Sequence, residues 1–148
     1  MNVEEIIKTN QKMPLEKRTL IHLALVINKI DEEIATVLKP FDISIQQFNV
    51  LRILRGQNGK PANLSTINDR MVKKRSNTTR LVDKLILKGF AQRTICLNNR
   101  RKVEIVITEG GLHILNEIDG ILFEAEKRIL KEFDEIELHQ LNELLNKF

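Results

Sequence analysis

The chain has 148 residues, of which 42% are hydrophobic and 30% are charged, as in an ordinary globular protein with a core of its own. Pro and Gly, at 3 and 6 residues, are too scarce for a disordered or all-β chain. The single cysteine, Cys96, cannot form an internal disulfide, and no apolar run approaches the ~18 residues that a membrane span needs. We therefore expect a mainly helical protein of the reducing cytoplasm, without a signal peptide.

The positive charge is concentrated in one part of the sequence. The net charge is only +4, but residues 70–102 hold 11 Lys and Arg residues against a single acid, Asp83. Residues 103–148 have the opposite balance, with 4 basic and 11 acidic residues. This separation indicates a nucleic-acid-binding face in the middle of the chain, and the alternative is a basic surface that only contacts solvent.

The first half of the chain has helical periodicity. Apolar residues at steps of three and four predict a long helix over residues 15–38, between Pro14 and Pro40. Ser44 followed by Gln47 predicts a capping box at the start of a second helix, which ends at Gly56.

Two shorter helices follow. Leu64, Ile67 and Met71 share a face and predict a helix over residues 64–72. The next helix is expected to end near residue 88, before Gly89, and two starts are open: the helix begins at Lys74, or Ser76 caps it.

After Gly89 the period changes from helix to strand. Residues 90–97 and 103–107 predict two strands joined by a turn at Asn98 and Asn99. Thr108 then caps a long helix and Asp134 caps a last one. The apolar stripes over residues 20–37, 115–129 and 138–148 are expected to pack against a second copy of the chain, and an intramolecular helical bundle is the alternative.

The order of short helix, turn, second helix and hairpin is that of a winged helix-turn-helix unit. The second helix of such a unit offers its N-terminal residues to base edges in the major groove, and the hairpin tip suits the minor groove. The predicted DNA contacts are Lys73, Lys74, Arg75, Ser76, Asn77, Thr79 and Arg80 at the helix, and Arg100, Arg101 and Lys102 at the hairpin.

These residues also resemble a known family. Leu85, Gly89-Phe90 and Arg93, then Asn99-Arg100-Arg101, then Thr108-Glu109-Gly110 look like the signature of the MarR family of transcription regulators. The resemblance implies a homodimer that binds a palindromic operator, usually as a repressor, and often releases it on sensing a small aromatic acid, a drug or an oxidant. It also implies an effector pocket between the terminal helices and the winged unit, for which the candidate residues are His22, Val26, Phe41, Phe48 and Arg52.

The sequence departs from the family pattern at three places. Asn99 replaces the Asp that usually precedes the paired arginines, and Asn68 replaces a small residue in the first helix of the motif. The usual turn Gly and helix-capping Ser are also replaced, near residues 72–74. We predict a mainly α protein with a small β-hairpin, in which residues 41–107 form the winged DNA-binding region. Residues 1–40 and 108–148 form the helical dimerisation region.

The sequence does not predict an enzyme, a metal site or a cofactor. Its histidines, at positions 22, 113 and 139, are scattered and do not accompany a nucleophile or a second metal ligand. Cys96 could sense oxidants, but a lone strand cysteine is more often packed and inert. The alternative function is a winged-helix module that binds proteins without reading a DNA sequence.

Overall fold

A computed structural model of the chain describes residues 2–73, 77–95 and 103–148. The elements are a four-residue helix α1 (Val3–Ile6), a long helix α2 (Leu15–Leu38), a short 3-10 helix (Lys39–Phe41), α3 (Ile45–Arg55), α4 (Leu64–Arg70), α5 (Thr78–Leu87), β1 (Ala91–Ile95), β2 (Val103–Ile107), α6 (Glu109–Ile129) and α7 (Glu135–Leu145). The predicted fold class, mainly helical with a β-hairpin, is confirmed.

Local capping signals fix several helix starts. Ser44 and Gln47 form the predicted capping box. The backbone N–H of Gln47 donates to Ser44 Oγ at 3.2 Å, and the side-chain Oε1 of Gln47 accepts from the backbone N–H of Ser44 at 2.9 Å. Asp134 and Glu137 form a second such box at α7. Each cap satisfies amide groups that would otherwise have no partner in the first turn, so the starts were readable from sequence.

The α4–α5 boundary differs from the prediction. The helix α4 ends at Arg70 instead of Val72, and α5 begins at Thr78 with Asn77 as its N-cap. The two predicted starts, a helix that begins at Lys74 and a cap by Ser76, are therefore wrong, because Asn77 itself is not helical. Asn77 takes the role because its side-chain oxygen accepts a hydrogen bond from the Arg80 amide at 3.1 Å.

The sheet has one more partner than the hairpin predicted from sequence. The strands β1 and β2 pair antiparallel, with Ala91 opposite Ile107 and Ile95 opposite Val103. Ala62 then adds an isolated bridge to Ile105, and the two residues exchange backbone hydrogen bonds of 2.8 and 2.9 Å. This bridge ties the loop before α4 to the base of the hairpin.

One continuous core joins the terminal helices to the winged unit. The fully buried side chains include Leu51 of α3, Leu85 of α5, Ile105 of β2 and Ile118 of α6. The long helices α2 and α6 pack against each other, and both pack against α3. The core crosses both predicted boundaries, so packing within the chain does not separate residues 41–107 from the two flanking segments. The predicted division into a winged region and dimerisation segments stays a prediction.

The apolar stripe of α6 packs differently from the expectation. Leu115, Ile118, Leu122 and Ala125 are all buried within the subunit itself, at 7% exposure or less. They pack against α2 and α3 of the same chain, so their burial does not require a second copy. Helix α7, by contrast, has no buried residue.

Candidate nucleic-acid interface

Helix α5 has a buried face that orients it and an outer face that it presents to solvent. Val82 and Leu85 are fully buried against the core, and Leu81 and Ile86 pack partly against the same cluster. Thr79 and Arg80 lie on the exposed side of the first turn. Because α5 is fixed from behind by apolar contacts, these two side chains are held at its N-terminal end, where a recognition helix meets base edges.

Thr78 has a structural role that the sequence did not reveal. Its side chain is buried, and its hydroxyl donates a hydrogen bond to Asn68 Oδ1 on α4 at 3.2 Å. Asn68, which departs from the family pattern, therefore has a hydrogen-bond partner in α5, the second helix of the helix-turn-helix and the candidate recognition helix. A polar residue at position 68 followed by a hydroxyl residue at position 78 was the available signal for this contact.

The predicted DNA contacts near α5 divide into three groups. Thr79 and Arg80 are exposed and lie side by side. The side chain of Asn77 caps the helix, and the ammonium of Lys73 pairs with Asp31 of α2, with Nζ at 2.7 Å from Oδ2. Lys74, Arg75 and Ser76 lie outside the described residues.

The base of the wing is attached to α5 by an ion pair. Arg93 on β1 pairs with Asp83 on α5 through its guanidinium group. Asp83 is the single acid among residues 70–102, so its isolation in the sequence was the available signal for this contact. The predicted contacts at the wing tip, Arg100, Arg101 and Lys102, and also Cys96, lie outside the described part of the chain.

The C-terminal end of α5 is attached to the segment before α3. The ammonium of Lys88 contacts both the backbone oxygen and the carboxylate of Asp42, which has a left-handed backbone with φ of 52°. This hydrogen bond holds the pKa of the Asp42 carboxyl below its ordinary value. Both ends of the recognition helix are therefore tethered to neighbouring elements by polar contacts.

A cavity of about 200 Å³ lies between the terminal helices and the winged unit. Two of the candidate effector residues, Phe48 and Arg52, line it, and the Arg52 guanidinium lies 5.7 Å from the centroid of the Phe48 ring. His22, Val26 and Phe41 are not among the residues that line it. The other lining residues come from α2, α3, α6 and the segment after α4, and they are Asp31, Ile34, Ile45, Gln46, Asn49, Met71, Val72, Lys73, Leu122 and Glu126.

His22 instead lies near the contact between α1 and α2. Arg18 donates to both carboxylate oxygens of Glu4, at 2.7 and 3.1 Å, and His22 adds a weaker electrostatic effect on the same carboxyl. The hydrogen bond from Arg18 lowers the pKa of Glu4, and the same bond raises the pKa of Arg18.

Within residues 2–73, 77–95 and 103–148, no three His, Cys, Asp or Glu side chains converge as a metal site would require. No helix in that part of the chain is long and apolar enough to cross a membrane.

Comparison with known proteins agrees with this geometry. The profile of the MarR family matches residues 43–103, which span the winged unit up to the first residue of β2. The HTH-type transcriptional regulator PecS of Dickeya dadantii is 30% identical over 132 residues, which cover 87% of this chain and 76% of PecS. The chain belongs to the MarR family. Members of this family are transcription regulators and not enzymes, and this chain is likewise a transcription regulator.

Two further similar proteins are informative. The HTH-type transcriptional repressor IacR of Pseudomonas putida is 26% identical over 123 residues, covering 83% of this chain and 72% of IacR. A crystal structure of a cysteine-to-serine variant of E. coli MarR in complex with operator DNA is 25% identical, with a TM-score of 0.76. That comparison covers 99% of this chain and 98% of the MarR chain.

Proposed function

We propose that this MarR-family regulator is a ligand-responsive repressor that binds a palindromic operator as a homodimer. The observation that carries the proposal is the first turn of α5, where Thr79 and Arg80 are exposed while Val82 and Leu85 are anchored in the core. A rigid helix that presents a hydroxyl and a guanidinium group at its N-terminal end is suited to hydrogen-bonding base edges.

The proposed DNA surface joins α5 to the wing. In addition to Thr79 and Arg80, it comprises the segment before α5 and the wing tip, with Lys74, Arg75, Ser76, Asn77, Arg100, Arg101 and Lys102 as the remaining contacts. Lys73 lies at the edge of this surface, where the Asp31 carboxylate competes with DNA for its ammonium. The charge concentrated in residues 70–102 supports this assignment, because phosphate contacts require Lys and Arg side chains. The repressor role is supported by the name of IacR, which is a repressor.

The proposed dimer forms through the terminal helices. Large apolar side chains remain exposed on α1, on α2 and in the C-terminal segment, namely Ile6, Ile7, Leu15, Leu20, Ile27, Phe133, Ile136, Leu144, Leu145 and Phe148. A surface with this many exposed apolar side chains near both ends of a chain is typical of a protein–protein interface. Two-fold pairing would place two copies of α5 on successive major grooves.

The proposed effector site is the cavity lined by Phe48 and Arg52. Its apolar wall includes Ile34, Ile45 and Leu122, and its polar groups come from three helices and the segment that leads into α5. A cavity of about 200 Å³ fits a small molecule with an apolar body and one polar group. A ligand there would touch both the terminal helices and the winged unit.

The test of operator binding is selection of bound duplexes from a random pool, with the mass of the protein measured in the same buffer. We expect an enriched sequence with two-fold symmetry and the mass of a dimer. Arg80→Ala and Arg101→Ala should each weaken binding of the selected duplex. Arg128→Ala, which removes an exposed cation from α6, is the matched control and should bind as the wild type does. Unaltered binding by both arginine variants would refute the contact surface, and absence of enrichment would refute sequence-specific binding.

The test of effector binding is release of the selected duplex by a panel of small aromatic acids. At least one compound should release DNA from the wild type, and Arg52→Gln should weaken that response without changing DNA affinity in the absence of compound. If no compound releases DNA, or if Arg52→Gln responds as the wild type does, the assignment of this cavity is wrong.

A further inference from the structure

Lys73 lies in the segment that connects the two helices of the helix-turn-helix. Its ammonium contacts Asp31 of α2, with Nζ at 2.7 Å from Oδ2, so an ion pair joins the long terminal helix to the approach to α5. The partners are 42 positions apart in the chain. Both side chains also line the cavity described above.

The ion pair is accessible and therefore exchangeable. The side chains of Lys73 and Asp31 are 56% and 34% exposed, and pairs with such access to water contribute little to stability. A DNA phosphate offers the ammonium the same kind of anionic oxygen as the Asp31 carboxylate does. Lys73 also belongs to the basic region, residues 70–102, that supplies the positive charge of the winged unit.

We propose that Asp31 is a positioning residue that withholds Lys73 from the DNA backbone. The carboxylate on α2 and the phosphate of a bound duplex compete for the Lys73 ammonium group. In the structure, this group is bound to Asp31. Removal of the carboxylate takes away this competitor and allows Lys73 to make one more phosphate contact. This inference rests on the proposed DNA-binding surface, and it adds an acidic residue outside the winged unit to the determinants of affinity.

The experiment measures the affinity for a random-sequence duplex as a function of salt, since a phosphate contact is independent of base sequence. The variant is Asp31→Asn and the matched control is Glu32→Gln, which removes the same charge from the next residue of α2. Glu32 is exposed and forms no ion pair within the described part of the chain. Between about 50 and 200 mM salt, Asp31→Asn should steepen the slope of log K against log salt by about 0.9, the value for one added phosphate contact.

Asp31→Asn should also bind the duplex more tightly, by about 1.4- to 5-fold, which is the range that corresponds to an exposed ion pair. Glu32→Gln should leave the slope unchanged. In a Lys73→Gln background, Asp31→Asn should have no effect on slope or affinity, because the ammonium for which the two anions compete is absent. Unfolding midpoints of all variants report whether each protein is folded under the assay conditions.

Three results would overturn the inference while the wild type still binds duplex DNA. These are an unchanged slope for Asp31→Asn, an equal effect of Glu32→Gln, or an effect of Asp31→Asn that persists in the Lys73→Gln background. Failure of the folded wild type to bind any duplex at low salt would instead refute the proposed function, and the inference with it.

Discussion

Two adjacent glycines at the start of α6 are expected to respond to alanine in opposite ways. Gly111 is buried, and a Cβ atom built there would lie 2.2 Å from the carbonyl oxygen of Phe90 and 2.7 Å from Ile107 Cγ1. A Cβ on the exposed Gly110 would meet its nearest neighbour, the carbonyl oxygen of Gly89, at an ordinary 3.5 Å. The first contact is far inside van der Waals distance and involves backbone, which cannot move aside by a change of rotamer.

The difference between Gly110→Ala and Gly111→Ala isolates the cost of that contact. Both substitutions gain from the preference of a helix for alanine over glycine, up to about 1 kcal/mol each. Overpacking of a closely packed site costs about 1–3 kcal/mol, and only Gly111→Ala incurs it. The free energies of unfolding of the two variants should therefore differ by about 1–3 kcal/mol, with Gly110→Ala the more stable.

Thermal unfolding measures this difference directly. For a chain of this size, about 2–4 °C in Tm corresponds to 1 kcal/mol, so the variants should be separated by about 2–12 °C. Both are measured at one protein concentration, because subunit association would raise the Tm of each. Equal Tm values, or a higher Tm for Gly111→Ala, would refute the close approach of α6 to the start of β1.

Three further predictions concern the recognition helix and its supports. Arg80→Ala should cost about 1–3 kcal/mol in binding of the selected operator and relax its sequence preference, as measured by mobility shift on operator and mismatched duplexes; a uniform loss on all sequences would mean that Arg80 contacts only phosphate. Ser44→Ala should lower the free energy of unfolding by about 1 kcal/mol in urea titrations, because the α3 cap is lost, and an unchanged midpoint would contradict that role of the cap. Asp42→Asn should reduce the loss of stability in acid, since Asp42 has its pKa lowered from 3.8: its contact stabilises the fold above that value and is lost as the pH falls through the lower one. Melting curves at pH 7 and pH 3 check this, and an unchanged difference between them would contradict it.

The parts of the fold that the sequence predicted are those with a local cause. The bounds of α2 follow from a stripe of apolar residues between two prolines, and the starts of α3 and α7 follow from capping boxes within four residues. Strand β2 follows from alternation of β-branched residues over five positions. In each case the residues that decide the structure are neighbours in the chain.

The start of α5 was missed because its cause is tertiary. Both Ser76 and Asn77 are good N-cap residues, so propensity alone did not choose between them. The start one residue later places the Thr78 side chain in a buried position, where its hydroxyl reaches Asn68 on the preceding helix. Ser76 and Asn77 are locally equivalent as caps, and the start after Asn77 is the one that goes with this hydrogen bond between α4 and α5.

The candidate site has the same division between local and tertiary causes. Periodicity indicated which face of α6 is apolar, but it could not indicate that α2 and α3 of the same subunit cover that face. The family resemblance suggested Phe48 and Arg52 for an effector pocket but not Asp31 or Lys73, whose ion pair spans 42 positions. Charge counted along the sequence treated Lys73 as one more cation for DNA, whereas in the structure its ammonium is bound by a carboxylate of the terminal helix. On the proposed DNA surface, the available positive charge therefore depends on how α2 packs against the winged unit. For this reason we expect an acid far away in sequence, Asp31, to modify the affinity for DNA.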